Sequence, residues 1–308
     1  MDAIILPAAT AEPVSLQNLH HDALSTIASV LCDPLRHESL NALSRTCRDV
    51  RVCSTPSLAQ LRQRYEKAKA LCEHVGESMG LDVETELWWG ATGLGTTPHI
   101  WTLGMLLQSR SLTLLETLVL YKNELGDEGM LALLGGLDGC ALPCLHTLNL
   151  CKNNVGVPGA ATIARALRRG ALPSLKKLDL GGNKLGDKGL GVLAPPLRVH
   201  LHIARLHVGD NGIGDRGLAA LLSAPTNYGI LPVLPSLLQL WLSDNELSDA
   251  GCATLASALR AGAMPRLQRI YLKGNVCTTS EGIEAVPLGR HEHAQRSGSW
   301  RDPVSVVV

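Results

Sequence analysis

The stretch Leu115-Glu-Thr-Leu118-Val-Leu120-Tyr-Lys-Asn123-Glu-Leu125-Gly-Asp-Glu-Gly129 decides how this chain of 308 residues folds, because it comes back. Leu145-His-Thr-Leu148-Asn-Leu150-Cys-Lys-Asn153 repeats it, and so do Leu175 to Asn183, Ile203 to Asn211, Leu237 to Asn245 and Leu267 to Asn275. The asparagines recur at intervals of 30, 30, 28, 34 and 30 residues. Inside each copy, leucines alternate with other residues, as Leu118 and Leu120 do with Val119 and Tyr121, which is the period of a half-buried strand. Past the asparagine the period changes: Met130, Leu133, Leu134 and Leu137 share one helical face, as do Ala160, Ile163, Ala164 and Leu167. One strand and one helix every thirty residues predict coils that stack and bury a common core.

Punctuation between the elements agrees. Prolines 143, 173, 235 and 265 stand two residues before the next strand, and glycines 170 and 262 follow helices. Asp127, Asp187, Asp215 and Asp249 precede the helices and are expected to cap their free N–H groups. Asn123, Asn153, Asn183, Asn211, Asn245 and Asn275 sit where the chain leaves each strand. An amide side chain there can both donate and accept, so their role is read as structural. Moving the first copy back by 31 residues aligns Leu87, Trp89 and Thr92 with Leu118, Leu120 and Asn123, a degenerate first coil suited to an end of the stack.

The LxxLxLxxN phrase is similar to that of the leucine-rich repeat family, and its long period with a Gly-Asp-x-Gly extension resembles the ribonuclease-inhibitor-like subclass. The resemblance implies an α/β leucine-rich repeat horseshoe, with parallel strands on the concave face and helices on the convex face, preceded by a small helical N-terminal unit. It also implies a surface for binding a protein or peptide rather than catalysis. Expected boundaries are a flexible N-terminus over 1–12, a helical F-box-like or capping unit over 13–80, repeats over 81–282, and a flexible C-terminal tail over 283–308.

Residues 13–75 read as three helical stripes that do not follow the repeat. Leu16, Leu19, Leu24 and Ile27, followed by Leu40, Leu43 and Cys47 with the run Leu43-Ser44-Arg45-Thr46-Cys47-Arg48, resemble an F-box. In that family the motif docks on the adaptor of SCF ubiquitin ligases, which would make this chain a substrate receptor. The proline usual after the first leucine is replaced by Gln17, and the aromatic usual near the end is missing. A plain helical cap for the solenoid is the alternative.

Composition excludes several classes. Lys+Arg and Asp+Glu both number 28, so the strong basic bias of a general nucleic-acid binder is missing. No apolar run reaches the roughly 20 residues that cross a bilayer, and no membrane partner is expected. Nine cysteines are scattered without a CxxC pair, which argues against a zinc site and for the reducing cytoplasm, with the nucleus as the alternative. No metal, cofactor or catalytic residue is expected. Gly93-Leu94-Gly95 lacks the GK[ST] of a phosphate loop, and His200 and His202 lack an evident third ligand. There are 57 leucines and no phenylalanine, a core of one residue type used repeatedly.

What remains is the strand face. Alternation turns Thr117, Val119, Lys177, Gln239 and their counterparts away from the leucines. Among the outward residues, Trp88, Tyr121, Lys122, Asn149, Lys152, Asp179, Arg205, His207, Trp241, Asp244, Arg269 and Tyr271 are the candidate ligand-binding set. Four of the nine aromatics of the chain are in it, and aromatics on an open face are frequent binding anchors. Seven strands at about 4.8 Å make a wall of roughly 29 Å, and its mixed charges suit a protein or peptide. A Ran GTPase-activating protein, which shares this repeat type, is a remote alternative resting on fold analogy alone.

Overall fold

Leu87, Leu118, Leu148, Leu178, Leu206, Leu240 and Ile270 stand side by side, each at the centre of a three-residue strand and each buried. In this computed structural model the strands are β1 (Glu86–Trp88), β2 (Thr117–Val119), β3 (Thr147–Asn149), β4 (Lys177–Asp179), β5 (Arg205–His207), β6 (Gln239–Trp241), β7 (Arg269–Tyr271) and β8 (Ser305–Val307). They form one parallel sheet in chain order. The structure describes residues 63–77, 81, 84–96, 98–109, 112–139, 141–223, 233–276 and 305–307.

Residues 63–75 form helix α1, with Ala68, Leu71 and Cys72 buried. Between the strands run α2 (His99–Gln108), α3 (Gly126–Leu134), α4 (Val157–Arg168), α5 (Gly186–Val199), α6 (Asp215–Leu222) and α7 (Asp249–Arg260). From α2 onward each helix packs on the next. Packed helices need 8–10 Å between axes while paired strands need about 4.8 Å. Each coil is therefore wider on its helix side, and the strands face inward. None of the helices described is long and apolar enough to cross a membrane.

Two kinds of hydrogen bond tie one coil to the next. The first is an asparagine ladder. Asn153 Nδ2 donates to Leu120 O of the preceding coil (2.8 Å), and its backbone N–H donates to Asn183 Oδ1 of the following one (3.0 Å). Asn123 accepts from Thr92 and Leu94 with Oδ1, so Thr92 takes the asparagine's place in the first coil but leans on its neighbour. The residue just before this position, from Ala91 through Lys122, Lys152, Gly182, Asp210 and Asp244 to Gly274, has φ between 53° and 78°. This left-handed residue lets the chain turn inward directly after the strand, at a cost of about 1–2 kcal/mol where a side chain is present.

The second kind corrects an expectation. The aspartates do not cap the helices they begin. Asp127 Oδ1 accepts from Gly156 and Gly159 N–H at the start of α4 (2.8 Å each), and Asp187 Oδ1 accepts from Gly214 (2.7 Å) and Gly217 (2.8 Å) at the start of α6. Asp215 likewise accepts from Ser248 N–H at the start of α7. Each carboxylate thus spans one interval of the stack. It requires glycine opposite: a Cβ on Gly159 or Gly217 would stand 2.7 or 2.6 Å from the capping oxygen. Asp249 has no further described helix to cap, and its Oδ1 is buried without a partner.

The chain divides into two compact units, Met1–Lys69 and Ala70–Val308. The tail expected to be flexible from 283 ends in β8, which pairs with β7 in the register Arg269–Ser305, Ile270–Val306 and Tyr271–Val307. Valine's strand propensity lets this end of the chain extend the sheet. Leu16, Leu19, Leu24, Ile27, Leu40, Leu43 and Cys47 lie outside the described residues.

Candidate interaction face

Because the strands are parallel and in register, equivalent residues of successive coils form rows across the sheet. The first row, at the strand starts, runs Glu86, Thr117, Thr147, Lys177, Arg205, Gln239, Arg269. The strand ends give a second row, Trp88, Val119, Asn149, Asp179, His207, Trp241, Tyr271. Beyond the strands lie Tyr121, Lys122, Lys152, Asp210 and Asp244, all exposed.

The second row is the informative one. Trp241 and Tyr271 stack with ring centroids 4.9 Å apart and planes 1° from parallel, and the His207 ring lies 5.8 Å from Trp241. Trp241 thus stands between His207 and Tyr271, and both it and Tyr271 remain half-buried. At the other end, Trp88 is 65% exposed, with its indole N–H donating to Glu86, and Tyr121 is 44% exposed with its ring against Gly90. The face therefore carries two aromatic patches with smaller side chains between them.

Asp179 and Val119 depart from expectation. Both were read as outward; Asp179 is only 8% exposed and Val119 only 4%. Val119 sits in its row between Trp88 and Asn149. Asp179 Oδ1 accepts from Gly181 N–H (3.1 Å) and from His207 Nδ1 (2.9 Å). Burial pushes its carboxyl upward, but the His207 hydrogen bond and charge, the Gly181 N–H and Lys177 together hold it below the ordinary carboxylate range. Asp179 is thus a positioning residue for His207. Asn149 is also partly engaged, accepting from Cys151 N–H with Oδ1 (3.0 Å).

A recess of about 320 Å³ opens at the middle of the face, lined by Lys177, Asp179, Arg205, His207, Gln239 and Trp241. Lys177 and Gln239 lie outside the candidate ligand-binding set, although they share Arg205's register position and alternation turns them outward. His200 and His202 contribute nothing to it. His200 is spent on its own surroundings, Nε2 against Leu172 O and Nδ1 accepting from His202 N–H.

A family profile described as Leucine Rich repeat matches residues 111–134, 141–164, 171–194, 200–222 and 233–256. Five leucine-rich repeats thus lie within residues 111–256. The matched spans coincide with the coils from β2 to α7; the degenerate first coil and the coil that starts at β7 lie outside them. No curated protein matches the chain. Among solved structures, the TLR13–ssRNA13 complex is similar at 19% identity and a TM-score of 0.29, covering 61% of this chain and 29% of that one. The chain thus spans less than a third of that protein.

Proposed function

We propose that this leucine-rich repeat protein is a non-catalytic module that binds a protein or peptide partner on its strand face. The observation that carries this reading is the set of aromatics on the strand face, with Trp88 and Tyr121 exposed and the half-buried Trp241 stacked on Tyr271. Burial supplies no reason for these rings, since the leucine column beneath them is already closed. The face is broad and open, so it does not exclude water as an enzyme site must. Mixed charge along its length favours a polypeptide over a polyanion.

Replacing both Trp241 and Tyr271 by alanine tests the reading. Partner capture by the full chain should fall at least tenfold while far-UV circular dichroism stays unchanged. Undiminished capture by a folded double variant contradicts it.

A second reading rests on the run Leu43 to Arg48: the N-terminal unit holds the adaptor of an SCF ubiquitin ligase and the strand face holds the substrate. Co-purification of the full chain with that adaptor, lost on Leu43→Asp, supports it. Equal recovery of adaptor by the two proteins rejects it.

A further inference from the structure

The recess at the middle of the face has a chemistry of its own. Two cations, Lys177 and Arg205, line it against a single carboxylate, Asp179. That carboxylate is only 8% exposed, and its Oδ1 is engaged by His207 and the Gly181 N–H. His207 is held in place from both sides: a Cβ on Gly181 would stand 2.8 Å from its Cε1, and one on Gly209 would stand 3.1 Å from its Nε2. The lining therefore sets an ammonium, a guanidinium and the Gln239 amide against one largely buried carboxylate, and its net charge is positive. Trp241 forms one wall and continues into the stacked Tyr271 ring.

Resting on the proposed protein-binding role, we infer that this recess takes an acidic side chain of the partner, with an apolar or aromatic residue beside it on Trp241 and Tyr271. Arg205 offers a planar fork suited to a carboxylate, and Lys177 stands one strand away, about 4.8 Å along the row. A volume near 320 Å³ holds a glutamate or aspartate side chain with some of its water. The donors stop short of a track for nucleic acid. Asp210 and Asp244 are exposed three residues past His207 and Trp241, on the side of the strand ends, where a continuous phosphate backbone would be repelled. The same pair sets polarity: the partner's acid lies toward the strand starts, and a basic residue of the partner is accommodated near Asp210 and Asp244.

The test is selection of a random twelve-residue peptide library, displayed on phage, against the full-length protein. Wild type should enrich Asp and Glu at least threefold over the input at one position, with an apolar or aromatic residue within four positions of it. Lys177→Glu and Arg205→Glu should each abolish the acidic enrichment and weaken the best synthetic peptide at least tenfold. Lys188→Glu, on the exposed side of α5, should change neither. Replacing the selected acid by its amide should weaken binding by a similar factor. Peptides without acidic enrichment, or acidic peptides indifferent to Lys177 and Arg205, overturn the inference, as does tighter binding of an oligonucleotide such as dT10. Selected peptides that still need Trp241 and Tyr271 but not the two cations would leave the strand face standing as a binding surface. Loss of the anchor is in this way distinguished from loss of the face.

Discussion

A single asparagine in this fold serves two coils. Asn153 is fully buried, donates from Nδ2 to Leu120 O and Cys151 O, and pairs by its backbone with the next asparagine. Its Oδ1 receives Asn123 N–H (2.9 Å). Alanine at this position strands those partners without water, so Asn153→Ala should lower unfolding free energy by about 1–3 kcal/mol. Asn275, half-exposed at the last described coil, should cost less, and urea denaturation of the two variants checks the order. Asp179 makes a different kind of contribution. Its folded pKa is depressed, so the stability it adds is fully present above the unfolded value of about 3.9 and disappears as pH falls through the folded value. Wild type should therefore exceed Asp179→Asn in stability at neutral pH. The gap should narrow as pH falls below about 4 and close only once pH is under the folded value, when both carry a neutral group there. Acid titration of the two melting curves measures it. The asparagine column was legible in the sequence because its period is unbroken. The burial of Asp179 was not, because alternation fixes the direction of a side chain and says nothing of the His207 ring laid over it.

Among the elements, the helices show where sequence reading stops. The aspartate before each helix was visible, and so was its chemistry, but the helix it serves was not. Sequence proximity suggested the local terminus; stacking brings the neighbouring one closer, and Gly159 and Gly217 leave room for the oxygen. Asp187→Ala should thus loosen α6 and not α5, in whose first turn it sits. Hydrogen exchange should speed up at the Gly214 and Gly217 amides, with a stability loss of about 0.5–2 kcal/mol. Faster exchange confined to α5 would contradict the assignment. The strands were read with fewer surprises, since two leucines flanking one outward residue leave a single register once one face is buried.

At the scale of the molecule, one apolar column and two hydrogen-bonded spines turn a thirty-residue phrase into a continuous wall. Stability in such an array is a sum of coils and of the interfaces between neighbours. That is why both the buried column and the open face could be read from six copies of one phrase. The row positions of Lys177, Arg205 and Gln239 were implicit in the same alignment. Their meeting in a recess beside Trp241 required the packing of His207 between two glycines. The proposed role requires that the strand face, and not the helix side, meet the partner. Hydrogen exchange of the full chain, alone and with a captured partner, tests it most directly. Slower exchange should appear in β4 to β7 and the turns that follow them, including Asp210 and Asp244, with α4 to α7 unchanged. Protection confined to α4 to α7 would contradict it.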